Sequence, residues 1–230
     1  MTGFATTRWS LIAAARNTPA SARPALEQLC CTYRPPVLAY IRRCGYSGSD
    51  AEDLTQAFFL RFIERGWYSD ADPERGRFRS LLLTSLRRFL NERNAHDHAI
   101  KRGGRQVAVA DMVDRVASEE ETPEQAFVRA WLGTVLAHAM MRLESEWDRA
   151  GKREQFALLA PLLVERADSA ELLSVAQALN QRSNTVAVQT HRMRQRLRQL
   201  VRLELLQTVE GHHDLEKELD ELRGVLDETP

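Results

Sequence analysis

The sequence predicts an all-α protein of two helical domains joined by an acidic linker. Three observations carry this. Apolar residues recur at spacings of three and four along most of the chain, and no stretch shows the period-2 alternation of a half-buried strand. Hydrophobic residues make up 43% of the 230, enough for real cores, while 28% charged residues and only 11 glycines suit exposed helix faces. The helical period fails over one long interval, residues 101–124, where Gly103-Gly104 opens a stretch of gathering acidic residues and Pro123 closes it. The boundaries drawn from these signals are an N-terminal extension over 1–22, a first domain over 23–100, a linker over 101–124, a second domain over 125–206 and an acidic tail over 207–230.

In chain order, Thr7 caps a short helix through RWSLIAAAR that ends near Asn17 to Pro19. Alone it is marginal, so it is expected to dock on the next helices of the chain. A second helix covers Arg23 to Tyr33, where Pro35-Pro36 is expected to interrupt or kink it, and a third through VLAYIRRCG ends at Gly45. In SDAEDLTQAFFLRFIERG, Ser49 and Glu52 have capping-box spacing, and Leu54, Phe58 and Phe62 share one face with Ala51 and Ala57 beside them. Trp67 and Tyr68 come next in a polar loop, as core plugs or as stacking platforms for an unpaired base. In the next helix Phe78, Leu81 or Leu82, Leu86 and Phe89 form a core stripe, leaving Arg79, Arg87, Arg88, Asn91 and Arg93 as a basic remainder.

Beyond the linker, Thr122 with Gln125, and Pro123 at the first helical position, announce a helix to about Trp147. Another runs from Lys152 to Val164. Ser174 with Gln177 then predicts a short helix starting at Val175, and Asn180 tolerates the left-handed turn after Leu179. Ser183 caps a longer helix in which Val186, Thr190, Met193, Leu197 and Leu200 or Val201 mark the buried stripe. Two such helices about a tight turn are a helix-turn-helix, whose second helix enters a DNA major groove N-terminus first. Between Asn184 and Glu204 five Arg face one Glu, which suits phosphate contact. The bland alternative is an amphipathic helix whose charged face is merely solvated.

Formal net charge is zero, which argues against a uniformly basic coat, but the charge is segregated. Residues 75–105 hold nine basic and two acidic side chains, whereas 111–124 hold one basic and six acidic, and 207–230 two basic and eight acidic. Basic patches parted by acidic segments suit a nucleic-acid binder that avoids promiscuous contact. Cys30, Cys31 and Cys44 form no zinc pattern and leave an odd thiol, so a reducing cytosol is the expected setting. Neither an apolar run of about 18 residues nor a signal-peptide core is present, so a soluble cytoplasmic protein is expected. No metal or other cofactor is expected: Asp50, Glu52 and Asp53 lack a supporting ligand, and His96 and His98 are two apart and point different ways on a helix.

This arrangement resembles the sigma factors of bacterial RNA polymerase, of the compact extracytoplasmic-function type. LAYIRRCGYSGSDAEDLTQAFFLRFIE followed by DPERGRFRSLLLTSLRRFLNERN is similar to the family's region 2, and TVAVQTHRMRQRLR is similar to its region 4 signature. The resemblance covers residues 24–100 and 125–205. It implies a non-enzymatic promoter-specificity subunit whose partners are core RNA polymerase (β′ clamp and β flap), promoter DNA and an anti-sigma factor. It assigns Asp53, Gln56 and Phe59 to polymerase, and Trp67, Tyr68, Arg79, Arg87, Arg88 and Asn91 to the −10 element and its melted strand. It assigns Arg182, Asn184, Thr185, Val188, Gln189, Arg192 and Arg196 to the −35 element. Asn180 replaces the usual turn Gly, and Ala187 stands where the family often has a basic residue. With Val188 apolar as well, shape and backbone contacts carry more of the recognition. The alternatives are a helix-turn-helix regulator acting without polymerase, a sigma-like protein-interaction decoy, and a metal-dependent enzyme using Asp50, Glu52 and Asp53.

Overall fold

Two prolines expected to end a helix lie inside one. The computed structural model describes residues 8–17, 19–70, 78–101, 121–163 and 168–206, and every regular element among them is helical. The Thr7 cap, residues 71–77, most of the 101–124 linker, the acidic tail and the side chains of His96 and His98 lie outside the described residues.

Helix α1 is Arg8–Asn17 and α2 is Pro19–Arg43, with Pro24, Pro35 and Pro36 inside the latter. The predicted break at Pro35-Pro36 is therefore corrected to one continuous helix. Each internal proline forfeits a backbone hydrogen bond and costs about 3 kcal/mol. Against that, Ala25, Leu29, Tyr33, Val37 and Ile41 recur every fourth residue and are all buried. At about 1.5–3 kcal/mol for each large apolar side chain, a single uninterrupted stripe outweighs the local penalty. Helix α1 packs on α2, as its marginal length requires. Leu11 and Ala15 meet Ala25 and Tyr68, while Arg16 donates to the Ser69 carbonyl at 2.6 Å.

Helix α3 is Gly48–Glu64, and Ser47 holds its N-cap position without a side-chain hydrogen bond. The predicted Ser49–Glu52 capping box does not form. The Glu52 carboxylate is drawn to Arg34 and, at 3.3 Å, to Arg42. The predicted stripe holds, with Ala51, Leu54, Phe58 and Phe62 buried. A 3₁₀ turn, Trp67–Asp70, leads towards α4, Phe78–Lys101, whose Phe78, Leu82, Leu86 and Phe89 are buried as the spacing predicts. The Phe58 ring lies 5.3 Å from Phe59 and 5.7 Å from both Phe62 and Phe89. Edge-to-face pairs of this kind add roughly 0.5–1.5 kcal/mol each beyond area burial.

Helix α5 is Pro123–Arg149. Its predicted capping box forms: the Gln125 amide donates to Thr122 Oγ1 at 3.2 Å, and the Thr122 amide to Gln125 Oε1 at 2.7 Å. The chain divides into two compact units between Thr134 and Val135, inside α5, while the boundary drawn from sequence is at 125. The early α5 residues Phe127 and Trp131 are fully buried in the first unit.

The second unit continues with α6, Arg153–Leu159, a 3₁₀ turn, Ala160–Leu163, α7, Ser169–Ala178, and α8, Ser183–Leu206. Its core gathers Ala139, Leu143, Phe156, Leu159, Ala176, Val186, Met193 and Leu200. The predicted start of α7 is corrected. Asp168 caps it in a reciprocal box with Glu171, which places Ser174 mid-helix, because the carboxylates at 168 and 171 satisfy free amides at an earlier start. Its end is as expected. Asn180 has φ of 50°, its amide reaches the Gln177 carbonyl at 3.1 Å, and the Gln181 amide reaches the Ala176 carbonyl at 2.9 Å. These two bonds are a Schellman motif with Asn in the left-handed position. At the far end of α8 the Glu204 carboxylate, 6% exposed, accepts from Arg142 at 2.7 Å.

The left-handed residue gives a direct test. Asn180→Ala should destabilise the chain by about 1–2 kcal/mol, the cost of that conformation for a side chain without local hydrogen bonding. Asn180→Gly should match or exceed wild type in the same urea titration. Equal midpoints for the Ala and wild-type chains would show that the turn tolerates any residue.

Candidate nucleic-acid interface

The stripe that buries one side of α3 leaves the opposite side in solvent. Asp53 and Gln56 are exposed there. Phe59, grouped with them on resemblance, is 7% exposed and packs against Phe58, so its side chain belongs to the core. The apolar residue this face does present is Leu60, 60% exposed. Sequence reasoning missed it, although its position half a turn off the 54–58–62 stripe marks it.

Around the Trp67 turn, an aromatic and a basic surface meet. The Trp67 ring is half-buried and edges against Phe62 at 6.2 Å. The Arg88 guanidinium lies 5.9 Å from its centroid, within cation–π range. Arg88 also donates to Glu92 at 3.0 Å, and Glu92 accepts from Arg61 at 2.6 Å. A tethered cation therefore sits over a fixed ring, while Asn91 is exposed on the same helix. Tyr68 turns towards α1 and the core, where it packs on the Leu11–Ala25 cluster.

The other two arginines behave differently. Arg79 is buried and its guanidinium lies 5.1 Å from the Trp131 centroid, so its charge points inward. Arg87 donates through Nε and Nη2 to Glu124 Oε1, at 3.1 and 2.7 Å, and the Tyr40 hydroxyl donates to the same oxygen at 3.1 Å. Burial pushes the Glu124 carboxyl up, but the Arg87 and Tyr40 hydrogen bonds and its own backbone amide outweigh this and hold it below the usual carboxylate range. Burial pushes the Tyr40 hydroxyl up to about 12. Glu124 falls outside every motif of the sequence, so nothing in the spacing pairs it with Arg87.

In the second unit, the exposed face of the α7–turn–α8 pair carries Arg182, Asn184, Thr185, Val188 and Arg192. Gln189 is half-buried and its Oε1 accepts from Gln155 Nε2 at 3.0 Å. Arg196 is engaged in a two-point bond to Glu146, at 2.9 and 2.6 Å. That bond holds the Glu146 carboxyl below its ordinary range and raises the Arg196 guanidinium further. The N-terminal half of α8 thus presents exposed side chains to solvent, while Arg196 braces α8 against α5.

The cysteines are not set up as nucleophiles near neutrality where burial is high. Burial, with Cys31 adjacent, pushes the Cys30 thiol up to about 11, and burial and Glu124 push Cys44 to about 11, so neither is a thiolate at pH 7. Among the described residues no three His, Cys, Asp or Glu side chains converge as metal ligands do, and no helix is long and apolar enough to cross a membrane.

Residues 31–102 match the family model for Sigma-70 region 2. The chain carries a sigma-70 region 2 domain. The matched span contains α3, the Trp67 turn and all of α4, the elements that build the aromatic and basic surface. The match lies wholly within the first unit. Comparison with curated proteins and with solved structures found no match.

The surroundings of Glu146 and of the cysteines are each open to measurement. Glu146 has a folded pKa below its unfolded value, so its stabilisation is complete above about pH 4.5 and is lost as pH falls through the lower folded value. The stability gap between wild type and Glu146→Gln should be clear at pH 7 and shrink on acidification below 4.5; a gap independent of pH would remove the ion pair from the account. With iodoacetamide at pH 8, exposed Cys31 should be modified well before Cys30 and Cys44, as read by peptide mass mapping.

Proposed function

We propose that the chain is a promoter-specificity subunit of bacterial RNA polymerase, a sigma factor of the extracytoplasmic-function type. The observation that carries this is the coincidence of the Sigma-70 region 2 match with the half-buried Trp67 ring and the exposed Arg88 over it. Opening DNA without ATP requires capture of extruded bases, which cost a few kcal/mol each to unstack. Stacking on an aromatic recovers roughly 1–3 kcal/mol per base, and nearby arginines attract the strand. In this account Trp67, Arg88 and Asn91 hold the melted −10 strand, and Arg87 joins them by exchanging Glu124 for a phosphate. Asp53, Gln56 and Leu60 form the face for the β′ clamp, with Phe59 supporting it from beneath.

The second unit serves as region 4, docking on the β flap and reading the −35 element through Arg182, Asn184, Thr185, Val188, Gln189 and Arg192. Its support is the helix-turn-helix geometry with an exposed N-terminal half of α8. Arg196 acts as a brace for that helix. An anti-sigma factor is the restraining partner this class of protein implies. A helix-turn-helix regulator working without polymerase remains the second reading, favoured by the completeness of the α7–α8 turn.

Purified chain should co-migrate with core polymerase and yield specific run-off transcripts; DNA binding without either outcome would favour the second reading. Arg192→Ala should weaken upstream-element binding by about 1–3 kcal/mol, and an unchanged footprint would remove that residue from the site. Trp67→Ala should weaken single-strand capture by roughly 1–3 kcal/mol while leaving upstream binding intact. Arg79→Ala should instead lower thermal stability, and a selective loss of strand capture would contradict its inward placement.

A further inference from the structure

A cavity of about 350 Å³ opens beside α8 within the second unit. Its size lies in the range of small-molecule sites, about 300–1,000 Å³. The charge around it is one-sided. Lys152, Arg192 and Arg196 line it, and no acidic residue does. Arg196 is neutralised from behind by Glu146, which leaves Lys152 and Arg192, both exposed, as the cations at the mouth.

The remaining walls are unlike those of a plain anion patch. Trp147 supplies an aromatic side, its ring held 6.2 Å from Phe156, and the Lys152 ammonium lies 6.0 Å from the Trp147 centroid. Met193, 2% exposed, gives an apolar surface below. Gln155 and Gln189 also line it, tied amide to amide at 3.0 Å, with further donor and acceptor capacity between them. The aromatic wall, the amide pair and Arg196 are each fixed by a partner, so little ordering is left for a ligand to supply.

We propose that this cavity is a nucleotide site, taking a phosphate joined to a planar base. Lys152 and Arg192 hold the phosphate, the Trp147 face receives the ring, and the Gln155–Gln189 amides meet the base edge. The occupant is a free mononucleotide, and a nucleotide of a bound DNA strand is the rival that the test separates from it. Because α8 forms one wall, a free nucleotide seated here and a duplex in contact with Gln189 and Arg192 compete. The proposal concerns the second unit alone and does not depend on polymerase binding.

Titration calorimetry on the full chain tests it, with AMP and GMP as probes and ribose 5-phosphate, adenosine and pyrophosphate as partial ligands. A mononucleotide should bind at least tenfold tighter than any partial ligand, and Lys152→Gln and Trp147→Leu should each weaken it about tenfold or more. Lys152 is exposed, so its variant reports binding rather than folding, and circular dichroism checks the Trp147 variant. In a second arm, an amine-reactive label on Lys152 is followed with AMP or with a short oligonucleotide. Protection by AMP supports the site, whereas protection by the oligonucleotide alone leaves only the DNA contact proposed above and overturns it. Pyrophosphate binding as tightly as AMP, affinity unchanged in both variants, or no protection by either probe would overturn the proposal.

Discussion

Packing around Phe58 fixes the orientation of everything functional in the first unit. Its ring is fully buried and meets Phe59 and Phe62 on its own helix and Phe89 on α4. That contact sets how α3 and α4 are rotated about their axes, since a helix turned by one residue would present a different face. With Phe58 inward, Asp53, Gln56 and Leu60 must face water, and with Phe89 inward, so must Arg87, Arg88 and Asn91. Core packing therefore decides which polar residues are available to partners.

Not every arginine of α4 gains that freedom. The same rotation that exposes Arg88 carries Arg79 against Trp131 and brings Arg87 to Glu124. A basic helix read as a string of charges is thus three different environments: a cation over a solvent-edge aromatic, a cation held by a carboxylate, and a cation stacked in the interior. The first is also paired with Glu92, at 3.0 Å, on an exposed helix face where such a pair is weak. The second must trade an existing partner, which lowers the net gain because its ion pair is already made. The third is structural.

The second unit repeats this division of labour on one helix. Val186, Thr190, Met193 and Leu200 anchor α8 in the core, and the Asn180 turn holds α7 before it. Towards the C-terminus Arg196 and Glu204 bind it to α5 through Glu146 and Arg142. The outer face of the first two turns is left uncommitted, which is where a major-groove reader needs its side chains.

Periodicity by itself determined the all-α class, the buried stripes of α3, α4 and α8, the capping box at Thr122 and Gln125, and the turn at Asn180. These depend on residues within a few positions of one another, so the spacing contains the answer. Only the tertiary structure decided that Pro35 and Pro36 sit inside α2, because a stripe spanning both sides of them outweighs the local cost. It alone showed that Ser49 caps nothing, since Glu52 turns to Arg34 and Arg42, whereas the α7 start follows from the local box of Asp168 and Glu171. Phe59 turns inward, and Arg79, Arg87 and Arg196 find Trp131, Glu124 and Glu146 across long stretches of chain. Partners so far apart in sequence leave no trace in local spacing, which is why the helices were legible and the state of each charged side chain was not.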